Sequence, residues 1–174
     1  MTKRKLLVVY YSRTGTTRRL GRELAKALGA DTDEIVEASG RDGFSGYWRS
    51  VSEARRRLPA ATAAGGRDPS AYDLVIVGTP VWAWSVSSPV RAYLAVNRAR
   101  IRDVAFFATM GGTGANSAFA QMEALVGKAS RAALAVTARE IVKGGYDEDL
   151  KAFVAAVHGA KPAGRPARKL KSAA

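Results

Sequence analysis

The sequence predicts an α/β fold in which a doubly wound, five-stranded parallel sheet carries helices on both faces. First, strand-like and helix-like segments alternate along the chain, as they do where crossover helices join parallel strands. Second, two of the strand-like segments are apolar throughout, which is typical of strands buried on both faces. Third, 174 residues suit one domain with a substantial core.

The first helix and the strands beside it are predicted from the spacing of apolar residues. Leu6 to Tyr11 is an apolar run of strand length. In the helix that follows, apolar residues recur at i, i+4, i+7 and i+8, and Gly29 ends the helix. A weaker strand is expected around Asp33 to Ala38. The predicted inner face of the helix consists of Leu20, Leu24, Ala27 and Leu28.

The middle of the chain is predicted to contain a short helix, a strand and a second helix. One apolar face fits a helix around Tyr47 to Leu58, bordered on both sides by Gly and Pro residues. Asp73 to Gly78 is the clearest buried strand of the sequence. Ser88 and Pro89 are expected to open the next helix, with the serine as its cap and the proline in its first turn.

The last third of the chain continues the alternation. Val104 to Thr109 and Ala132 to Val136 are predicted as the fourth and fifth strands. No internal repeat or second domain is found, so we expect one domain over residues 1–160. Apolar residues mark the helix between these strands, at Phe119, Met122 and Val126, and the last helix, at Leu150, Phe153, Val154 and Val157.

The sequence contains no cysteine and a single histidine, His158. The lack of cysteine excludes disulfides, thiol redox chemistry, Cys-bound zinc and iron–sulfur clusters. One histidine without cysteine also argues against Ser-His-Asp and Cys-His hydrolases and against a metal site. Any redox activity therefore requires a bound cofactor, and no catalytic side chain is predicted.

The chain is strongly basic, with 28 Lys and Arg against 15 Asp and Glu and a net charge of +13. Residues 161–174 hold five of the positive charges and no acid, and they are rich in Pro, Gly and Ala, so we expect a basic, disordered tail there. The remaining excess of positive charge either reflects a compositional bias toward solvated arginines or attracts phosphorylated cofactors or acidic proteins. Zinc-finger, RNA-binding aromatic and helix-turn-helix motifs are absent from the sequence, which argues against nucleic acid.

The N-terminal segment does not support export. Basic residues precede the first apolar run, as in a signal peptide, but the run is short and no small-residue cleavage site follows it. No stretch approaches the roughly 18 apolar residues that a membrane span requires. The sequence thus predicts a cytoplasmic protein without a membrane span.

A hydroxyl-rich loop follows the first strand and reads Ser12-Arg13-Thr14-Gly15-Thr16-Thr17. Backbone amides and hydroxyls around a glycine at a helix N-terminus are typical of a phosphate site. The loop lacks the Gly-Lys-Ser/Thr of an ATP-type P-loop and the G-x-G-x-x-G of a dinucleotide fold. The alternative interpretation is a helix-capping turn without a ligand.

Two further loops are expected beside it, because ligands of open parallel sheets bind beyond the carboxyl ends of the strands, where the strand order reverses. The segment after the third strand runs from Gly78 to Trp84, and Thr79 and Pro80 are expected to form a tight exit from that strand. Its tryptophans suit the side of a flat heteroaromatic ring. The segment from Thr109 to Gly114 follows the fourth strand, and its glycines permit close approach of the backbone.

The pattern Ser/Thr-x-Thr-Gly-x-Thr directly after an N-terminal buried strand resembles the FMN phosphate loop of the flavodoxin family, and the likeness spans roughly residues 4–158. It implies a flavodoxin-like fold with strand order 2-1-3-4-5 and a non-covalently held FMN. It also implies that the first loop holds the phosphate and that Trp82 stacks on the isoalloxazine ring. Trp84 is instead expected to pack under the next helix, and the amides of the glycine loop are expected to reach the pyrimidine side of the flavin. The implied FMN contacts are Ser12, Arg13, Thr14, Gly15, Thr16, Thr17, Thr79, Pro80, Val81, Trp82, Ala83, Thr109, Met110, Gly111, Gly112 and Gly114.

The outer face of the flavin ring decides between two activities. Electron-carrying flavodoxins usually cover that face with a tyrosine in the loop after the fourth strand, and this sequence has none there. The resemblance therefore leaves the face open, or covered by Phe44, Tyr47, Trp48 or the second subunit of a homodimer. An open face favours an oxidoreductase that takes hydride from NAD(P)H as co-substrate and reduces a small acceptor such as a quinone or a flavin.

Two alternatives to this enzyme are kept. One is a non-enzymatic electron carrier that docks on an acidic redox partner protein, although flavodoxin carriers are usually acidic and this chain is basic. The other is an interaction module without flavin. Several arginines either contact the NADPH phosphates or form a solvated helix face, namely Arg41, Arg49, Arg55, Arg56, Arg57 and Arg67.

Overall fold

The computed structural model describes residues 4–36 and 66–159, which contain six β-strands and five α-helices. The strands are β1 (Leu6–Tyr11), β2 (Asp31–Ile35), β3 (Leu74–Trp82), β4 (Ser85–Val86), β5 (Val104–Met110) and β6 (Ala133–Thr137). The helices are α1 (Thr16–Leu28), α2 (Ser88–Asn97), α3 (Ala115–Val126), α4 (Ala138–Lys143) and α5 (Asp147–His158). A short 3-10 turn, Pro69–Ala71, precedes β3.

The sheet has the order β2-β1-β3-β5-β6, and every neighbouring pair in this series is parallel. β4 lies outside the series and pairs antiparallel with the end of β3. The five strands of the series correspond to the five predicted ones, so the doubly wound 2-1-3-4-5 order is confirmed. Because the order reverses between β1 and β3, their carboxyl ends form a switch point where a cleft can open.

Two apolar layers cover the two faces of the sheet, because side chains alternate along each strand. Alternate residues of β1 beginning with Leu6 pack against α1, α4 and α5, whereas those beginning with Leu7 pack against α2 and α3. Phe106 and Phe107 of β5 are fully buried on opposite faces. Burial on both faces explains why the central strands are continuous apolar runs in the sequence.

The predicted position of β2 requires a correction. The strand covers Asp31–Ile35 rather than the neighbourhood of Asp33 to Ala38, and Val36 directly after it is exposed. Its sequence gave only a weak strand pattern because most of its residues are polar. Two of them are stabilised by ion pairs: Asp31 pairs with Arg67, and Glu34 pairs with Arg18.

The predicted end of β3 is also corrected. The strand continues four residues past Gly78, so Thr79 and Pro80 pair with β5 inside the sheet and do not form an exit turn. The physical reason is the hairpin with β4, in which Val81 and Trp82 of β3 pair with Val86 and Ser85. The predicted loop after the third strand is therefore a strand end followed by a two-residue turn.

The helices match the predicted ones with three local differences. In α1, Ala25 is buried and Ala27 is exposed, so the buried face of the helix includes Ala25 instead of Ala27. Gly29 ends the helix as predicted, with a left-handed φ of 62°. In α2 the N-cap residue is Ser87 rather than Ser88. The helix α4 was not predicted, although Thr137 and Glu140 form the capping box that marks its start.

Some predictions fall outside the part of the chain that the structure describes. These are the short helix around Tyr47 to Leu58, the tail 161–174 and the candidate ring cover from Phe44 to Trp48. Within residues 4–36 and 66–159, no helix is long and apolar enough to cross a membrane.

Candidate functional site

A cleft opens at the carboxyl edge of the sheet, at the switch point between β1 and β3. Its volume is about 410 Å³, within the range of about 300–1,000 Å³ that is typical of small-molecule sites. The loop after β1, the end of β3 and the end of β5 form its walls. The lining residues are Arg13, Thr14, Thr16, Thr17, Pro80, Val81, Trp82, Thr109, Met110, Gly111 and Ala138.

The loop between β1 and α1 presents backbone amides at the start of the helix. Gly15 is the N-cap of α1 and has a φ of 94°, a conformation that glycine adopts without strain. Its amide donates a hydrogen bond of 3.1 Å to Ser12 Oγ, which tightens the turn. No described side chain caps α1, and its first turn contains no acid, so the first helical amides have no partner within the helix. Such a helix end attracts an anion.

The threonine hydroxyls of this loop reach both the cleft and the neighbouring strand. Thr14 Oγ1 and Thr16 Oγ1 are 3.3 Å apart at the exposed side. Thr17 Oγ1 and Thr109 Oγ1 form a buried hydrogen bond of 2.7 Å. This bond joins the start of α1 to β5 and fixes the distance between two walls of the cleft.

Trp82, the last residue of β3, lines the cleft and is 45% exposed. The ring of Tyr11, at the end of β1, meets it edge to face, with centroids 6.2 Å apart and an interplanar angle of 87°. The contact supports the indole on one side, while nearly half of its surface stays accessible. An aromatic plank held in this way suits a planar ligand.

Thr79 lies in the interior rather than on the cleft. Its hydroxyl lies within hydrogen-bond distance of Pro80 O, at 2.8 Å, and of Ser87 Oγ, at 3.1 Å, and it accepts a hydrogen bond from the Ser87 amide. The side chain is fully buried. Thr79 thus ties the end of β3 to the start of α2.

The two residues between β3 and β4, Ala83 and Trp84, form a strained turn, which we call the tryptophan turn. Both have positive φ, 48° and 57°, as a two-residue type I′ hairpin requires. Glycine or asparagine usually occupies such positions, and each non-glycine residue there costs about 1–3 kcal/mol. The prediction that Trp84 packs under the next helix is wrong: its side chain is 64% exposed, because the hairpin turns it outward.

The glycines after β5 differ in their surroundings. A Cβ on Gly111 or Gly112 would meet nothing within 4 Å, so the backbone there is open to a ligand. A Cβ on Gly114 would lie 2.9 Å from Trp84 Cδ1 and 3.1 Å from Val81 Cγ1, and its φ is 105°. Gly114 therefore permits α3 to pack closely against the tryptophan turn.

The structure brings ten of the sixteen candidate contacts together on the cleft wall. The other six lie next to lining residues without lining the cleft themselves: Ser12, Gly15, Thr79, Ala83, Gly112 and Gly114. Ala138 lines the cleft and was not among the candidates. The capping box at Thr137 was the sequence signal that a helix starts there, at the end of β6.

Among the lining residues that the structure describes, Arg13 alone is charged and none is an acid. Arg18 lies nearby but is paired: its guanidinium contacts both oxygens of Glu34, with N–O distances of 2.6 and 3.0 Å. This pairing raises the pKa of Arg18 further above its usual value. The described lining residues therefore carry a net positive charge, which favours an anionic ligand.

Arg67, a candidate contact of the NADPH phosphates, is engaged elsewhere. Its guanidinium donates to Asp31 Oδ2 at 3.3 Å, to the Tyr72 hydroxyl at 3.2 Å and to the Thr32 carbonyl. These bonds fasten the chain to the edge strand β2. The other candidate arginines lie outside the described residues.

Comparison with known proteins agrees with this architecture. Residues 5–154 match the family model for flavodoxin. Among curated proteins, none matches the chain significantly. Similar solved structures include a flavoprotein in complex with FMN from Lactobacillus acidophilus NCFM, which is 20% identical with a TM-score of 0.59 over 80% of this chain and 97% of that one.

Two other solved structures are also similar to this chain. The flavodoxin WrbA-like protein from Agrobacterium tumefaciens is 16% identical, with a TM-score of 0.53 over 91% of this chain and 94% of that one. The NADH:FMN oxidoreductase EmoB is 14% identical, with a TM-score of 0.57 over 91% of this chain and 92% of that one. At these identities the likeness establishes the fold.

Proposed function

Because the chain belongs to the flavodoxin family, we propose that it binds FMN in this cleft and is an oxidoreductase that passes electrons from NAD(P)H through FMN to a small acceptor such as a quinone or a flavin. One observation carries the proposal: an uncapped helix N-terminus, threonine hydroxyls and an exposed indole line a single cleft. The helix end suits a phosphate, and the indole suits a planar ring.

The residues of the cleft fit both ends of FMN. At the phosphate end, the amides of the first turn of α1 and the hydroxyls of Thr14 and Thr16 are available as donors. At the ring end, Val81, Trp82 and Met110 give an apolar wall, and Gly111 leaves room for the approach of the backbone. The contrast between a polar and an apolar end would orient the cofactor.

When bound, FMN supplies the electron-transfer and hydride chemistry, which explains why the chain needs no catalytic acid, base or nucleophile. The residues of this chain would bind the cofactor and orient it. The hydrogen bond between Thr17 and Thr109 holds two cleft walls at a fixed distance, and Tyr11 supports Trp82 from the side. The buried side chains of Val81 and Met110 exclude water from the ring end.

The charge of the cleft supports an anionic co-substrate. Arg13 is exposed on the wall, and the described residues give it no hydrogen bond or ion pair, so its guanidinium is free to bind a phosphate of NAD(P)H or of FMN. One protein of the same fold was solved with FMN and another is an NADH:FMN oxidoreductase, and both support this assignment.

The first test is the identity of the bound cofactor. We expect the protein to be purified with a yellow chromophore that denaturation releases and mass spectrometry identifies as FMN. Colourless protein that also fails to quench the fluorescence of added FMN would leave the interaction module without flavin as the better interpretation.

The second test separates enzyme from carrier. The FMN-loaded protein is mixed anaerobically with NADH or NADPH, and the visible flavin absorption is followed. Bleaching by either nucleotide, restored by a quinone or by free flavin, supports the oxidoreductase. If FMN stays oxidised with both nucleotides but is reduced by dithionite, the protein is a carrier and the enzymatic part of the proposal fails.

A further inference from the structure

Gln121 of α3 joins the tryptophan turn to the body of the protein. Its Nε2 donates hydrogen bonds to the Trp84 carbonyl at 3.1 Å and to Ser117 Oγ at 3.2 Å. Its Oε1 accepts from Ser85 Oγ at 2.8 Å and from the Arg91 guanidinium at 2.9 Å. One side-chain amide thus makes four hydrogen bonds, two on each of its polar atoms.

The surroundings fix the orientation of this amide. The guanidinium of Arg91 can only donate, so the oxygen of Gln121 must face it, and the carbonyl of Trp84 can only accept, so the NH₂ group must face that carbonyl. Arg91 also donates to Ser85 Oγ at 3.1 Å, which closes the network around the first residue of β4. The network is therefore specific for glutamine and is not satisfied by a side chain with two acceptors.

The network lies on a turn that does not form readily by itself. Ala83 and Trp84 occupy the left-handed region without being glycine, so the turn needs outside support to keep this conformation. The support comes from α3, through Gln121 and through the close approach of Gly114 to Trp84. Trp82, paired with Ser85 across the turn, is the aromatic residue of the cleft wall.

We propose that Gln121, supported by Arg91 and Ser85, is a positioning residue of the FMN site, which holds the tryptophan turn in its left-handed conformation and thereby fixes Trp82 on the cleft wall. The inference rests on the proposed FMN binding for its effect on affinity. Its structural part, the control of the turn by Gln121, holds for the protein without cofactor. Gln121 itself does not line the cleft, so its effect on FMN is indirect.

The test compares variants of nearly equal size. Gln121→Glu keeps the acceptor that faces Arg91 but replaces the NH₂ group beside the Trp84 carbonyl with a carboxylate oxygen. We expect FMN to bind about five- to tenfold more weakly, because one hydrogen bond is lost and two acceptors face each other. Ser117→Ala is the matched control, since it removes the other hydrogen bond of the same NH₂ group and leaves the turn in place; its FMN affinity should stay within about twofold of the wild type.

A rescue variant separates positioning from general damage. Ala83→Gly removes the strain at the first residue of the turn, because glycine adopts positive φ freely. In the Gln121→Glu background it should restore most of the lost FMN affinity. Because relief of this strain also stabilises the fold, the urea unfolding of each variant is measured as well, and FMN affinities are compared under conditions in which every variant is fully folded.

The readout that does not require FMN is NMR of the apoprotein. In Gln121→Glu, the backbone chemical shifts of residues 82–85 and the indole resonances of Trp82 and Trp84 should move, and in Ser117→Ala they should stay. Unchanged shifts in Gln121→Glu, or unchanged FMN affinity together with moved shifts, overturn the inference. If the wild-type protein fails to bind FMN, the proposed function fails and the shifts alone decide whether Gln121 controls the turn.

Discussion

Two hydroxyls, of Thr17 and Thr109, connect segments of the chain that lie 92 positions apart and set the width of the cleft. Both side chains are buried, so each hydroxyl is the hydrogen-bond partner that water would otherwise provide for the other. The cost of losing one of them is larger than the net value of the bond, because the remaining hydroxyl is left without a partner. The site therefore depends on a pair rather than on two independent residues.

We predict that Thr17→Val lowers the free energy of unfolding of the apoprotein by about 1–3 kcal/mol, since valine keeps the shape and leaves Thr109 Oγ1 unsatisfied. The double variant Thr17→Val/Thr109→Val should recover part of this loss, because neither residue then buries an unpaired hydroxyl. Urea unfolding of the three variants measures both effects. Losses that simply add would show that the two hydroxyls do not depend on each other.

Among the elements, the loop between β5 and α3 depends on one glycine far more than on its neighbours. Gly114 combines a φ of 105° with a Cβ position 3.0 Å from the Trp84 backbone, whereas Gly112 has open space around it. The helix α3 can approach β4 and the tryptophan turn only because Gly114 has no side chain. The same contact brings Gln121 within reach of Trp84.

Gly114→Ala should therefore destabilise the protein by about 2–4 kcal/mol, through backbone strain and the clash with the Trp84 backbone. Gly112→Ala is the matched control, and it should change the free energy of unfolding by less than about 0.5 kcal/mol. Thermal and urea unfolding measure both. Equal losses in the two variants would contradict the assigned contact.

The edge strand β2 carries a buried acid, Asp33, which is 6% exposed. Burial raises its pKa above the usual value, more than the hydrogen bond from the Arg67 amide at 3.2 Å and the charge of Arg67 lower it. Since the folded pKa exceeds the unfolded one, the folded state favours the protonated acid. The stability that Asp33 contributes is full below the unfolded pKa of about 3.8 and is lost as the pH rises through the folded pKa.

Asp33→Asn should accordingly stabilise the protein at neutral pH, because it removes the buried charge and keeps an acceptor for the Arg67 amide. Below the unfolded pKa of the aspartate the advantage should disappear. Melting temperatures of the wild type and the variant at pH 7 and at pH 3 give the comparison. The expected sign is contradicted if the melting temperature of Asp33→Asn minus that of the wild type is smaller at pH 7 than at pH 3.

The strands and turns of this fold differ in how far the sequence predicts them. The positions of the main strands followed from apolar runs such as Leu6 to Tyr11, which report burial on both faces, whereas their order followed from the resemblance to the flavodoxin family. The hairpin that carries Trp84 was missed because Ala83 and Trp84 are not turn formers, and tertiary contacts from α3 impose their conformation. The place of Ala138 at the cleft was missed because it depends on how the sheet brings the end of β6 near β5, which no local pattern reports.

At the scale of the whole molecule, we expect the excess of positive charge to contribute to the field around the cleft. The net charge is +13, and Arg13 is the charged residue on the cleft wall among the described residues. A unit charge about 10 Å away contributes about 0.4 kcal/mol at the dielectric constant of water, and salt reduces this further. Several such charges add up, so they stabilise a negative charge on a bound, reduced flavin.

We predict that the midpoint potential of bound FMN is higher than that of an acidic flavodoxin, and that it falls when the positive field is weakened. Arg13→Gln is the simplest change, and potentiometric titration at low and high salt is the measurement. The difference between wild type and variant should shrink at high salt. A strongly negative potential that does not depend on salt or on Arg13 would contradict the electrostatic account.

The central claim is that the amides and hydroxyls at the start of α1 recognise the terminal phosphate of FMN. Titration of the apoprotein with FMN and with riboflavin, followed by quenching of flavin fluorescence, tests it most directly, because the two ligands differ only in the phosphate. We predict that FMN binds at least about a hundredfold more tightly than riboflavin, as charge-assisted hydrogen bonds would give. Equal affinities, or no quenching by either flavin, would contradict the claim.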